Sequence, residues 1–199
     1  MLVGLTGSWV TIRLKYVNMA DINSPFVTDR KIPVGELPAR ASEPIWDVIE
    51  LLFFAYRDFI SDPDEVLENL GFGRAHHRVL HFVNRNPGMK VAELLDILKI
   101  TKQSLGRVLK QLVDEGYVAQ KAGPNDRRQR LLFVTPKGEA LAMQLAGLQT
   151  ERIARALAEL GPNAHDATCR LLSAMIDADR REAVLRFVAR ADRIRRQGS

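Results

Sequence analysis

At 199 residues and 22.4 kDa, with 46% hydrophobic and 27% charged residues, the chain has the size of one ordinary domain or two small ones sharing a core. It carries enough apolar surface to fold, which excludes a multi-domain machine and a globally disordered protein. A mean hydropathy of -0.12, with no long apolar run, argues against a membrane-spanning helix, and a lone cysteine, Cys169, excludes an internal disulfide and points to a reducing, cytoplasmic setting.

The first forty residues lack sustained periodicity and hold Gly4, Gly7, Pro25, Pro33, Gly35 and Pro38, so residues 1–41 read as a flexible extension. Met1–Val10 has no basic residue and is broken by glycines, unlike a signal peptide. Ser42, with Glu43 and Pro44 in the following turn, is a good N-cap. A helix is predicted from there, striped by Ile45, Ile49, Leu52, Tyr56 and Phe59, widened by Trp46, Phe53 and Ile60, and ended by Ser61-Asp62-Pro63. So broad an aromatic stripe suits a helix packed on two surfaces, and a partner subunit is one candidate for the second.

Arg74–Asn86 forms a second helix stopped by Pro87-Gly88, and Val91–Leu98 a short third. Thr101 caps a fourth over Lys102–Glu115, in which Leu105, Val108, Leu109 and Leu112 fall at i, i+3, i+4 and i+7 and Gly116 sits where a left-handed residue is expected. The period then turns extended: Tyr117–Lys121 and Arg130–Val134 make a hairpin around Gly123-Pro124-Asn125-Asp126. Thr135-Pro136 starts a long helix to Leu160, and after Gly161-Pro162-Asn163 the helical pattern resumes towards the basic end Arg193-Ile194-Arg195-Arg196. The fold class is mainly α with a small β-hairpin wing. It divides into helical segments at 42–70 and 139–196, a dimerisation region by the family resemblance given below, and a winged helix-turn-helix at 71–138.

Charge marks the same module. From Arg74 to Lys137 there are 13 lysines and arginines against 5 acids, leaving 16 bases and 19 acids elsewhere, so the middle third is suited to a polyanion. An α-helix fits the major groove of B-DNA, where residues of its N-terminal half reach base edges. Gln103, Ser104 and Arg107 are therefore the base-reading candidates, with Lys102 and Lys110 on phosphates. The hairpin tip brings Arg127, Arg128 and Arg130 to a thin projection suited to a minor groove, and Asp126 is expected to hold Arg128 in a fixed fork. Gly106 weakens the fourth helix relative to alanine, and either DNA or a neighbouring helix could be what approaches it.

Val91-Ala92-Glu93-Leu94, Ile100-Thr101-Lys102-Gln103-Ser104, Leu112-Val113-Asp114-Glu115-Gly116-Tyr117 and the stretch from Asp126-Arg127-Arg128 to Thr135-Pro136-Lys137-Gly138 resemble the MarR family of bacterial transcription regulators. Asp126, Arg128, Thr135 and Gly138 are the most specific part. Arg74 to Phe82, with Ile100 to Ser104, resembles the PetP-like branch. The resemblance spans Ile45 to Ile176. It implies a homodimer joined through its first and last helices, two winged modules on a pseudo-palindromic operator, and a ligand or redox signal that changes their spacing. The extension before Ser42 departs from the family's usual length.

Oxidant-sensing members carry a reactive cysteine in the first helix, which this chain lacks. Cys169, beside Leu171 and Leu172, reads as a buried structural thiol, with a sensing thiol as the alternative. Trp46, Phe53, His77 and His81 are expected to line a cleft for a small effector. The i, i+4 spacing of His77 and His81 would also suit a metal or haem, against the commoner surface or capping role, so no metal site or cofactor is assigned. Phosphate-loop, nucleophile-elbow and clustered Cys/His patterns are missing, which argues against an enzyme. The alternative function is a winged-helix protein-interaction module without specific DNA binding.

Overall fold

A computed structural model describes residues 9–10, 32–33, 44–124, 126 and 129–197. The chain forms two compact units, Met1–Ile49 and Glu50–Ser199. In the first, β1 (Trp9–Val10) pairs antiparallel with β2 (Ile32–Pro33), Trp9 opposite Pro33 and Val10 opposite Ile32. The rest of the expected extension, and the Ser42 cap, lie outside the described residues.

Helix α1 (Trp46–Glu68) starts in the first unit and runs on through the point where the sequence pattern ends it. Pro63 stands inside the helix. A mid-helix proline removes a hydrogen bond and crowds the preceding turn, at about 3 kcal/mol, and tertiary contacts offset that cost here. Pro63 and Leu67 are buried. Asp62 receives a forked pair of hydrogen bonds from Arg152, and Asp64 accepts one from Arg74 at 2.8 Å.

The second unit is built around α2 (Arg74–Arg85), which packs on α4 (Lys102–Asp114), α5 (Pro136–Leu160) and α7 (Ala178–Gln197). Helix α3 (Val91–Leu98) precedes α4, and α6 (Ala164–Met175) precedes α7. Val79, Leu80 and Val83 of α2 meet Leu94, Leu105, Leu112, Leu132 and Leu145 in one continuous core. The i, i+3, i+4, i+7 spacing on α4 turns Leu105, Val108, Leu109 and Leu112 inward.

The hairpin is formed by β4 (Val118–Ala122) and β5 (Arg130–Val134), with Val118 opposite Val134 and Ala122 opposite Arg130. A third strand joins it: β3 (Met89–Lys90) pairs antiparallel with β5, Met89 opposite Leu132. The Pro87-Gly88 break is thus also the entry to a sheet, because Gly88, at φ +81°, donates its N–H to the Leu132 carbonyl at 2.8 Å. Element order and the three-stranded sheet are those of a winged helix-turn-helix.

Cys169 corrects its expected burial, for it is exposed, with Sγ 3.8 Å from His165 Nε2. Its neighbours Leu171 and Leu172 are also exposed, so none of the described residues covers that stretch of α6.

Candidate nucleic-acid interface

Helix α4 is fixed at both ends before any partner arrives. Thr101 Oγ1 accepts the Ser104 N–H at 3.1 Å and donates to the Ser104 hydroxyl at 2.9 Å. Ser104 is therefore both a cap partner and an exposed hydroxyl. At the far end Gly116 takes φ +76°, and the Glu115 carbonyl accepts from Lys137 Nζ at 3.0 Å. The same ammonium lies 4.0 Å from the centre of the Tyr117 ring, a cation–π contact that makes Lys137 part of the joint between α4 and α5.

With its ends held and its apolar side buried, α4 leaves Lys102, Gln103, Ser104, Gly106, Arg107 and Lys110 exposed. Lys110 forms an ion pair with Asp114 one turn on, a surface interaction that a phosphate can displace at small cost. Gly106 has open space at its missing side chain: no described residue places an atom within 4 Å of where a Cβ would stand. No described neighbouring helix occupies the space at this glycine.

Two contacts that the sequence did not announce orient α4. The Gly73 N–H donates to His76 Nδ1 at 3.1 Å, so the proton of the neutral ring sits on Nε2, which meets Gln111 Oε1 at 2.9 Å. Gln111 in turn donates to Glu115 Oε1 at 2.9 Å and to the Gly71 carbonyl at 3.4 Å. The His76 ring stacks on Phe72 at 4.8 Å, and Phe72 meets Tyr117 edge to face at 5.1 Å. A polar and aromatic seam thus joins the turn before α2 to α4. Its visible signal is a histidine three residues after Gly73, a place where a side chain can reach back to the cap.

The Thr-x-x-Gly sequence closes the other joint. Thr135 Oγ1 accepts the Gly138 N–H at 3.1 Å and donates to the Gly116 carbonyl at 2.6 Å. Only a glycine fits at 138, since a Cβ there would stand 2.0 Å from the Tyr117 carbonyl oxygen.

At the wing tip the Gly123 N–H donates to the Gln129 carbonyl and the Gln129 N–H to the Asp126 carbonyl, each at 3.0 Å. Arg130 is exposed at the start of β5, and Lys121 lies over the Phe133 ring at 4.9 Å. Arg127 and Arg128, and with them the expected fork from Asp126, lie outside the described residues.

The effector residues are spread over the chain. Trp46 belongs to the first unit. Phe53 on α1 is 71% exposed. His77 and His81 share a face of α2; burial lowers the pKa of His77 against the opposing pull of Asp64. His81 is the more exposed residue of the two, yet loss of hydration around its ring lowers its pKa, helped by His77 and Arg85.

This architecture, a capped helix with a polar face beside a hairpin wing, defines a DNA-binding transcription regulator of the winged-helix type. The chain belongs to the MarR family of transcriptional regulators. The family's model matches residues 70–129. The HTH-type transcriptional regulator PetP of Rhodobacter capsulatus is 41% identical over 165 residues, covering 80% of this chain and 92% of that protein. Among solved structures, a MarR family regulator of Listeria monocytogenes complexed with 26mer DNA shares the fold at TM-score 0.58 and 22% identity, covering 72% of this chain and 93% of that one. Streptococcus pneumoniae FabT in complex with DNA does so at TM-score 0.59 and 13% identity, with 66% and 94% covered. The family and these relatives are transcription regulators, not enzymes. Among the described residues no helix is long and apolar enough to cross a membrane.

Proposed function

We propose that the protein is a cytoplasmic homodimer that binds a pseudo-palindromic operator in double-stranded DNA and regulates transcription there. The observation that carries this reading is the division of α4 into a buried leucine and valine side and an exposed polar side. Gln103, Ser104 and Arg107 read base edges, Arg bonding guanine and Gln adenine in bidentate fashion. Lys102, Lys110, Arg127, Arg128 and Arg130 bind the sugar-phosphate frame and the adjacent minor groove, and Asp126 structures the wing. Residues 71–138 form the DNA-binding module.

The dimer reading is supported by apolar surface that a soluble monomer has no use for. Phe53, Phe54 and Tyr56 on α1 are exposed, as are Leu171, Leu172 and Met175 on α6 and Val184, Leu185 and Val188 on α7. A two-fold contact would cover these on both copies at once, with residues 42–70 and 139–196 as the dimerisation region and 1–41 as an extension to it. A small effector acting near Phe53, His77 and His81 is supported by the partial burial of His77 on the face of α2 that it shares with His81.

The test is selection of bound duplexes from a random pool at two salt concentrations, with the mass of the complex measured alongside. A two-fold-symmetric motif bound by two subunits is expected, with preference over random duplex of about 10³-fold or more and affinity that falls steeply with salt. An unstructured pool would overturn the reading in favour of a protein-interaction module.

A further inference from the structure

We propose that Gly106 marks the closest approach of the α4 backbone to the floor of the major groove, making the absence of a side chain there a determinant of specific DNA recognition. The inference rests on the operator-binding reading given above.

A glycine inside a helix is less favourable than alanine, because it has more backbone freedom to lose and leaves the backbone open to water. Among the described residues nothing requires it at position 106. The residue is not among those with positive φ, unlike Gly71, Gly88, Gly116 and Gly161. No described atom lies within 4 Å of its Cβ position, whereas Gly138 is forced by a carbonyl oxygen at 2.0 Å. The space at Gly106 is open to a partner from outside.

Its surroundings say what that is. Gly106 lies one turn from Gln103 and from Lys110 and next to Arg107, all exposed, while Leu105, Val108 and Leu109 are turned inward. The result is a notch on the polar side of the helix, flanked by long side chains that donate hydrogen bonds. A major groove about 12 Å wide admits a helix whose diameter with side chains is about 10–12 Å, so a residue without a side chain lets the axis sit deeper. Depth matters to the flanking residues. A displacement of about 1 Å carries a hydrogen bond of about 2.9 Å beyond its useful range, so a methyl group at 106 would weaken the base contacts of Gln103 and Arg107 together. Contacts to phosphates, made by flexible lysines, would adjust.

The experiment compares the full-length wild type with Gly106→Ala and with Arg107→Ala. Melting temperature is read together with affinity for the duplex selected by the wild type and for a random-sequence duplex of the same length. For Gly106→Ala a rise in melting temperature of about 2–4 °C is expected from helix propensity. Affinity for the selected duplex should fall about tenfold or more, while that for random duplex changes less than about twofold, since non-specific binding rests on phosphates. Selected-duplex affinity within about twofold of wild type for Gly106→Ala, while Arg107→Ala loses it, overturns the proposal and leaves operator binding intact. A lower melting temperature for Gly106→Ala also overturns it. Absence of any preferred duplex for the wild type is the separate failure of the underlying reading.

Discussion

Replacing Gly138 by alanine tests whether the joint between the hairpin and α5 is as tight as its geometry demands. The added Cβ would stand 2.0 Å from the Tyr117 carbonyl oxygen and 2.9 Å from its carbonyl carbon. Carbon–oxygen contacts are ordinarily about 3.3 Å or longer, so more than an ångström of movement is required. Neither side yields easily. Tyr117 is buried against Phe72, and its carbonyl accepts the Thr135 N–H at 3.0 Å, while Gly138 is tied to the Thr135 hydroxyl. Forcing an extra group into such packing costs about 1–3 kcal/mol, and loosening one hydrogen bond at Thr135 costs about 1 kcal/mol more. Alanine returns about 0.5–1 kcal/mol of helix propensity. The net expectation is a destabilisation of about 2 kcal/mol, which lowers the melting temperature of a chain this long by about 4–8 °C. The assay is thermal unfolding followed by circular dichroism at one fixed protein concentration, because association of subunits shifts the midpoint by mass action. A midpoint equal to or above that of the wild type would refute the reasoning.

Arg107→Ala removes an exposed guanidinium, so its midpoint should stay within about 1 °C of wild type while preference at one half-site position relaxes by about 1–3 kcal/mol; unchanged preference in duplex selection would remove Arg107 from the readout. Gln111→Ala cuts the bonds to His76, Gly71 and Glu115. A stability loss of about 1–2 kcal/mol is expected, with weaker binding of the selected duplex because α4 loses its orientation; wild-type values of both would show the seam to be idle. The two histidines predict the pH response. Loss of hydration lowers the pKa of both from the ordinary 6.5, so the folded chain refuses protons that the unfolded chain accepts. Their contribution is complete above pH 6.5 and is lost as acidification carries the pH through the folded-state values. The melting temperature of wild type should therefore drop more steeply below that pH than that of the double variant His77→Gln/His81→Gln, and identical slopes would count against the assignment.

What the sequence made legible is what local chemistry decides. The inward residues of α4 recur at helical spacing, Thr101 and Thr135 each cap the helix that follows, and Gly116 takes the left-handed conformation its position implies. The exposed face of α4 then follows by elimination, and the candidate recognition residues lie on it. The features that escaped depend on partners distant in the chain. β3 has two residues and acquires its identity only by pairing with β5. Pro63 reads as a helix stop until Arg152, 90 residues away, is seen holding Asp62 through a forked pair of bonds. His76 and Gln111 are 35 residues apart, and neither belongs to a periodic pattern that would predict their meeting. Cys169 fails for a further reason. Its neighbours Leu171 and Leu172 are apolar, and apolar company ordinarily means burial, but in a single subunit that face of α6 is open. A hydrophobic pattern records that a surface is to be covered and not which molecule covers it. The broad stripe of α1, with Phe53 the most exposed of its aromatic rings, follows the same logic: the width that sequence periodicity can measure exceeds what the described residues bury, and in the proposed homodimer a second chain would cover the excess.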